Sequence, residues 1–345
     1  MSMLTKGALK DCLAGRPTPI VPAWLFWFDK KFTEENQSDV ERLRREYDND
    51  FIQVGVRYEK RAEDPPMEPD EFTDVWGCLF EPGPDGAGAR PARPIVRRVK
   101  EWERYAENRM PEMRPETYAE SVRKAAAAYP DRYILARKWR TFYERMSLVI
   151  GFEQLMIEIA MDGELFEKML ANLRDFTIRG IELIAGAGAD GVYLADDWGT
   201  RDRLHISLDL WKKRFKPAYG AMIETAHSRG LDVWFHSCGA IADLIPEWID
   251  LGLDAIGHCR PTVLDVPAVA QRWRGKIAFY GCLDAEHNLM NGSRASIREE
   301  VRARMRGFRA HEGRYIASPA SAIMPGTPVE NVRALFEAIR EFGRV

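Results

Sequence analysis

His236 and Cys238 stand two residues apart at the end of the apolar run Val233-Trp-Phe235, and Gly239 follows them. In an extended segment residues i and i+2 point the same way, so an imidazole and a thiolate placed like this can share one ion. Nitrogen and sulfur donors together suit Zn²⁺. Cys259 follows the run Leu253–Ile256, and Cys282 follows Lys276–Tyr280. Either thiol could complete a His/Cys/Cys set with a fourth position open, as catalytic zinc requires. Cys259 is the expected third ligand and Cys282 the reserve. A histidine on an apolar strand is more often a satisfied core residue, and Cys282 would also serve as a small packing residue. The ligand reading rests on several metal-type side chains ending successive strands.

Asp196 and Asp197 come directly after Gly191-Val-Tyr-Leu-Ala195. Adjacent carboxylates at the end of a strand are costly to keep ionised unless they meet a cation, a donor or a substrate. One is expected to point into a site and the other to brace a loop; the bland alternative is a turn leading into the next helix. His258, beside Cys259, and Asp284, Glu286 and His287 extend the same rim as reserve or substrate-contacting candidates. Cys12, on an N-terminal helix, and Cys78, beside Trp76, read as structural.

These residues need strands whose carboxyl ends converge. Helix and strand patterns alternate from residue 113 onward: helices at 115–129, 151–161, 163–186 and 208–229, with strands at 133–136, 191–195, 231–235, 253–256 and 276–280. Gly230 closes one helix as a C′ residue would. Such alternation implies a parallel sheet. With the aromatic run Ala23–Phe28 and the strand Asp50–Val56, about eight βα units are available. The economical closure is an α/β (β/α)8 barrel of TIM type, whose chemistry sits at the carboxyl-end mouth. Residues 61–95, rich in proline, glycine and acids, read as an excursion near that mouth, with a hairpin around Asp74–Phe80 and a turn cluster at Pro82–Gly88. The expectation is a single domain over 1–345.

The chain has 46% hydrophobic and 30% charged residues and a net charge of −3, an ordinary globular composition without the basic footprint of a nucleic-acid binder. Arginines are dense in 97–104 and 298–309, but glutamates interleave with them as on solvated helix faces. No apolar stretch approaches the length of a membrane span, and Met1–Ala8 contains no apolar signal core. Five widely spaced cysteines argue against a disulfide scaffold. A cytoplasmic protein with reduced thiols is expected.

Three segments carry a resemblance: Gly188-Ala-Asp-Gly-Val-Tyr-Leu-Ala-Asp-Asp-Trp-Gly199, Ala226–Gly239 through His-Ser-Cys-Gly, and Pro325-Gly-Thr-Pro-Val-Glu-Asn-Val332. With them the chain resembles the uroporphyrinogen decarboxylase superfamily, and Gly15–Pro22 and Asp74–Cys78 resemble its methyltransferase-like branch. The resemblance implies a (β/α)8 barrel with its site at the mouth. It further implies either decarboxylation of a tetrapyrrole or zinc-dependent methyl transfer between a corrinoid protein and a thiol or small methylated substrate. The arginine-rich segment with which the decarboxylases grip carboxylates has no counterpart before residue 60. The methyltransferases carry His-x-Cys, matched by His236 and Cys238, and a later cysteine whose position falls close to Ser321. Cys259 is the expected compensation for that departure. Methyl transfer with Zn²⁺ and a corrinoid partner is therefore the leading expectation, with Asp196 or Asp197 orienting a polar group. The alternatives are a metal-free decarboxylase that uses Asp197, or a non-catalytic barrel that docks a corrinoid protein through Trp24, Trp27 or Trp76.

Overall fold

The computed structural model describes residues 4–83, 89–138, 140–257 and 259–344. Among the described residues ten strands follow one another: β1 (Phe51–Gly55), β2 (Phe72–Thr73), β3 (Leu79–Pro82), β4 (Ala89–Pro91), β5 (Tyr133–Arg137), β6 (Gly191–Ala195), β7 (Asp232–His236), β8 (Ala255–Gly257), β9 (Ala278–Tyr280) and β10 (Tyr315–Ile316). Seven form a parallel sheet in the order β1-β5-β6-β7-β8-β9-β10, with helices between successive strands. The segment 22–25 fills the eighth place. Trp24 N–H donates to Ala317 O (3.0 Å), Ala317 N–H to Pro22 O (2.8 Å), and Asp50 N–H to Ala23 O (3.1 Å). The chain is thus a (β/α)8 barrel of TIM type whose first stave is held by isolated bridges.

Side chains alternate across each strand. Tyr193 and Trp234 point into the barrel with Trp24, Phe51, Tyr133 and Tyr280. Val192, Leu194, Val233 and Phe235 face the helix layer. The helix Lys6–Leu13 closes the amino-terminal end by adding Leu9 and Leu13 to the interior cluster. Lys6 and Lys10 hold it there through Asp190 (3.1 Å) and Asp232 (3.2 Å). Among the described residues no helix is long and apolar enough to cross a membrane.

The excursion contains a small antiparallel sheet, β2-β3-β4, rather than a lone hairpin. Residues 84–88 of the expected turn cluster lie outside the described residues. Arg145 pins the excursion to the barrel: its guanidinium contacts Asp74 Oδ2 at 2.7 Å and lies 4.4 Å from the Trp76 ring centre.

Three helices differ from the sequence expectation, the first being the one read as 115–129, which divides into Pro115–Tyr118 and Glu120–Ala128. The helix read as 208–229 divides into Leu208–Arg214 and Lys216–Ser228, because Pro217 has no N–H and its ring excludes an unbroken ladder. A helix at Tyr143–Ile150, which was not expected, precedes Phe152–Ala160; Gly151 turns between them at φ 84°. The amino terminus of that helix proves to be part of the site.

A candidate metal centre at the barrel mouth

β6 ends in two carboxylates that diverge because neighbouring residues face opposite sides of the sheet. Asp196 is fully buried and turns outward. It accepts the N–H groups of Phe142 (2.7 Å) and Glu144 (2.9 Å) at the amino terminus of helix Tyr143–Ile150, and the Tyr219 hydroxyl at 2.5 Å. Burial pushes its carboxyl up to about 6 against the pull of these donors. Asp196 therefore braces a helix where an anion is favoured.

Asp197 turns toward the mouth. Its Oδ1 lies 3.2 Å from His236 Nε2 and accepts the Cys238 N–H at 2.8 Å. Cys238 Sγ lies 3.3 Å from the same Nε2. One ligand atom from each of Asp197, His236 and Cys238 falls within 4.8 Å of the others. Zinc bond lengths of ~2.0–2.3 Å imply neighbouring donors about 3.3–3.7 Å apart in a tetrahedral set. The observed 3.2 and 3.3 Å lie at the short end of that edge, so oxygen, nitrogen and sulfur donors are spaced closely enough to hold one ion. Burial, with the Asp197 charge second, pushes the Cys238 thiol up to about 12. Burial also works against ionised Asp197, but the His236 and Cys238 hydrogen bonds hold its carboxyl below the usual range.

Backbone contacts set this spacing. Gly199 N–H donates to Cys238 O (3.1 Å), and Ala240 N–H donates to Thr200 O (2.8 Å). Gly239 has φ 90°, and a Cβ there would lie 2.1 Å from Gly199 O. The loop carrying Asp197 is thus clasped to the loop carrying Cys238. Beside them lies a cavity of about 410 Å³ lined by Cys238, Arg201, Arg260, Thr262, Glu286 and His287 among others. Arg260 Nη2 contacts Glu286 Oε1 at 3.0 Å, and the Thr262 hydroxyl donates to Glu286 Oε2 at 2.9 Å.

The other expected residues lie elsewhere. Cys259 and Cys282 are fully buried in the apolar layer between sheet and helices and do not join the donor group. Among the described residues it is Asp197 that converges with His236 and Cys238, while the Cys259 thiol meets Cys282. His258 lies outside the described residues. Asp284 caps a turn through the N–H groups of Glu286 (2.8 Å) and His287 (2.9 Å). Ser321 is buried, and its hydroxyl has no hydrogen-bond partner among the described residues. Trp24 and Trp76 are buried, the first in the barrel interior and the second within the excursion against Arg145, so neither offers a docking ring. Trp27 is half-buried, and its ring centre is 6.3 Å from that of His236.

Sequence reasoning missed Glu144 and Arg260. Burial and the charges of Asp197 and Asp196 hold the Glu144 carboxyl above its usual range. No spacing pointed to Glu144, because its helix was not recognised. Arg260, inside Gly-His-Cys-Arg-Pro, was overshadowed by the thiol.

A parallel barrel with a mixed oxygen, nitrogen and sulfur donor set at its carboxyl-end mouth defines a class of enzyme scaffold. The family model of uroporphyrinogen decarboxylase (URO-D) matches residues 74–342, and the chain belongs to that family. A methyltransferase from Methanosarcina mazei has the same fold: TM-score 0.71, 17% identity, 98% of this chain and 99% of the other covered. A B12-independent methionine synthase from Shewanella sp. W3-18-1 is more distant, with TM-score 0.47, 10% identity, and 65% and 66% covered. The curated proteins compared with the chain yield no match.

Proposed function

We propose that the chain is a zinc-dependent methyltransferase in which Asp197, His236 and Cys238 hold the ion. The observation that carries this reading is the convergence of those three donors within 4.8 Å at the barrel mouth. Membership of the URO-D family and the shared fold with a methyltransferase support it. Zinc bound there would lower the pKa of an acceptor thiol and hold it as a nucleophilic thiolate.

The chain's own residues have separable tasks. Asp197 would supply the oxygen donor and, by accepting the Cys238 N–H, fixes the backbone that carries the thiol. The cavity beside Cys238 gives a small substrate room, with Arg201 and His287 in its wall beside the Arg260–Glu286 pair. Where a thiol is the acceptor, its thiolate sulfur forms the new bond to the methyl carbon, and the electron pair of the broken methyl bond stays on the donor. A corrinoid protein is the proposed partner, with a thiol or small methylated compound at the other end of the transfer. Five free cysteines accord with the proposed cytoplasmic location.

The test combines elemental analysis with a methyl-transfer assay using methylcobalamin and short thiols. About one zinc per chain is expected, with Cys238→Ser losing metal and transfer together, since a hydroxyl is a poor soft ligand. Full activity in a metal-free Cys238→Ser protein would overturn the proposal. Absence of methyl transfer by the parent, with release of carbon dioxide from a tetrapyrrole carboxylate by the metal-free protein, would favour the decarboxylase reading, in which Asp197 acts without metal.

A further inference from the structure

A second cavity of about 410 Å³ lies between helices Gln37–Glu46 and Val329–Phe342, over the segment 22–25. Val21, Leu25, Phe336 and Ile339 give it an apolar lining. Asp50, just before β1, is also in its wall, so the cavity belongs to the amino-terminal side of the strands and not to the mouth.

Four arginines line this space: Arg44, Arg45, Arg340 and Arg344. Among the described residues none of them meets a carboxylate. Arg44 lies 5.3 Å from the Phe26 ring centre, and Arg340 lies 4.2 Å from that of Tyr47 while donating to Glu46 O at 2.6 Å. Among the described residues Arg45 and Arg344 find no side-chain hydrogen-bond partner. The carboxylates in the same wall are engaged elsewhere. Glu46 pairs with Arg333, Asp48 with Arg132 (3.3 Å), and Asp50 accepts the N–H groups of Ala23 (2.8 Å) and Leu4 (3.4 Å). Acids are not scarce nearby, since Glu337 and Glu341 on helix Val329–Phe342 take up Arg294 and Arg298.

The bland reading is that these arginines neutralise helix ends. Two helix carboxyl termini meet here, each equivalent to about half a negative charge. With Asp50 they balance about two of the four positive charges. About two guanidinium charges remain over an apolar floor, in a space within the ordinary range of ligand cavities, about 300–1,000 Å³.

We propose that this cavity binds a small amphipathic anion, a carboxylate or phosphate monoester with a short apolar body. The oxyanion takes the Arg45 and Arg344 guanidinium groups, which suit such groups by planar, forked donation. The apolar body lies against Leu25, Phe336 and Ile339. The site is independent of the proposed metal chemistry.

Isothermal titration calorimetry on the full chain at low salt tests this with octanoate, hexyl phosphate, octanamide and inorganic phosphate. One saturable site is expected for octanoate or hexyl phosphate; whichever binds more tightly names the anion. Octanamide and inorganic phosphate should each bind about tenfold or more weaker, because one lacks the charge and the other the apolar body. Arg45→Gln with Arg344→Gln should lose about tenfold or more in affinity at an unchanged melting temperature, since both side chains are exposed. Cys238→Ser should bind the anion as the parent does, which separates this site from the metal centre. No saturable binding of either amphipathic anion overturns the proposal. So does equal affinity for the amide or for inorganic phosphate, or an unaltered double variant.

Discussion

Replacing Gly239 by alanine should weaken the metal centre without touching a ligand. The new Cβ would meet Gly199 O at 2.1 Å, whereas ordinary contact begins near 3.4 Å, so the two loops must part by about 1.3 Å. That displacement acts on the loop carrying Asp197, whose Oδ1 now lies 3.2 Å from His236 Nε2. A donor set moved by so much of a bond length loses its common centre, and changes just outside a metal's ligands typically cost about 10–100-fold in affinity. The positive φ of 90° adds about 1–3 kcal/mol of backbone strain. Gly275→Ala is the control. Its φ is 73°, but nothing lies within 4 Å of the added Cβ, so it carries the backbone cost alone. Competition with a chromophoric chelator measures zinc affinity, and calorimetric melting measures stability. Both variants should melt a few degrees lower, while only Gly239→Ala should lose zinc affinity. If Gly239→Ala binds zinc as tightly as the parent, the two loops do not set the donor spacing and the reasoning is wrong.

Tyr219→Phe removes a buried hydroxyl that donates to Asp196 at 2.5 Å and accepts from Trp198 Nε1 at 3.1 Å; denaturant unfolding should show a loss of about 1–3 kcal/mol. Arg145→Met leaves Asp74 without its cation, at a cost of about 3 kcal/mol, and limited proteolysis should then cut first within 61–95. An unchanged cleavage pattern would show that the excursion is held by other contacts. The pair His227–Asp254, at 2.9 Å, raises the histidine pKa above 6.5 through the hydrogen bond. Its stabilisation is therefore complete below pH 6.5 and fades as pH rises through the higher folded value. Because the pair is partly exposed, His227→Gln should cost under about 1 kcal/mol, and more at pH 5.5 than at pH 8.5. The opposite pH order in thermal melts would reject the assignment.

The barrel was legible because its signals are local. Apolar runs such as Val192–Leu194 and Val233–Phe235 alternate with amphipathic helices, and a strand buried on both faces needs little else to declare itself. The pair His236 and Cys238 was legible for the same reason, since period-two geometry alone places both side chains on one face. The first stave was less clear: the backbone of 22–25 is tied in through Ala317, Asp50 and Asn49, residues from distant parts of the chain. The helix Tyr143–Ile150 was missed because it has no side-chain cap of its own and draws its anion from Asp196, about fifty residues later.

What the sequence by itself determined is the fold class, the His-x-Cys pair and the strand ends at which chemistry-bearing residues gather. Only the tertiary structure decided which of those residues meet. Asp196 and Asp197 are equivalent on paper, but the sheet sends one to a helix terminus and the other to the candidate metal centre. Cys259 carries the softer donor and was the expected third ligand, yet it packs in the apolar layer beside Cys282. Donor identity is written in each residue, whereas donor convergence within a few ångströms depends on turns such as Gly199 against Gly239. Those turns are set by contacts between separate loops, and no local pattern records them.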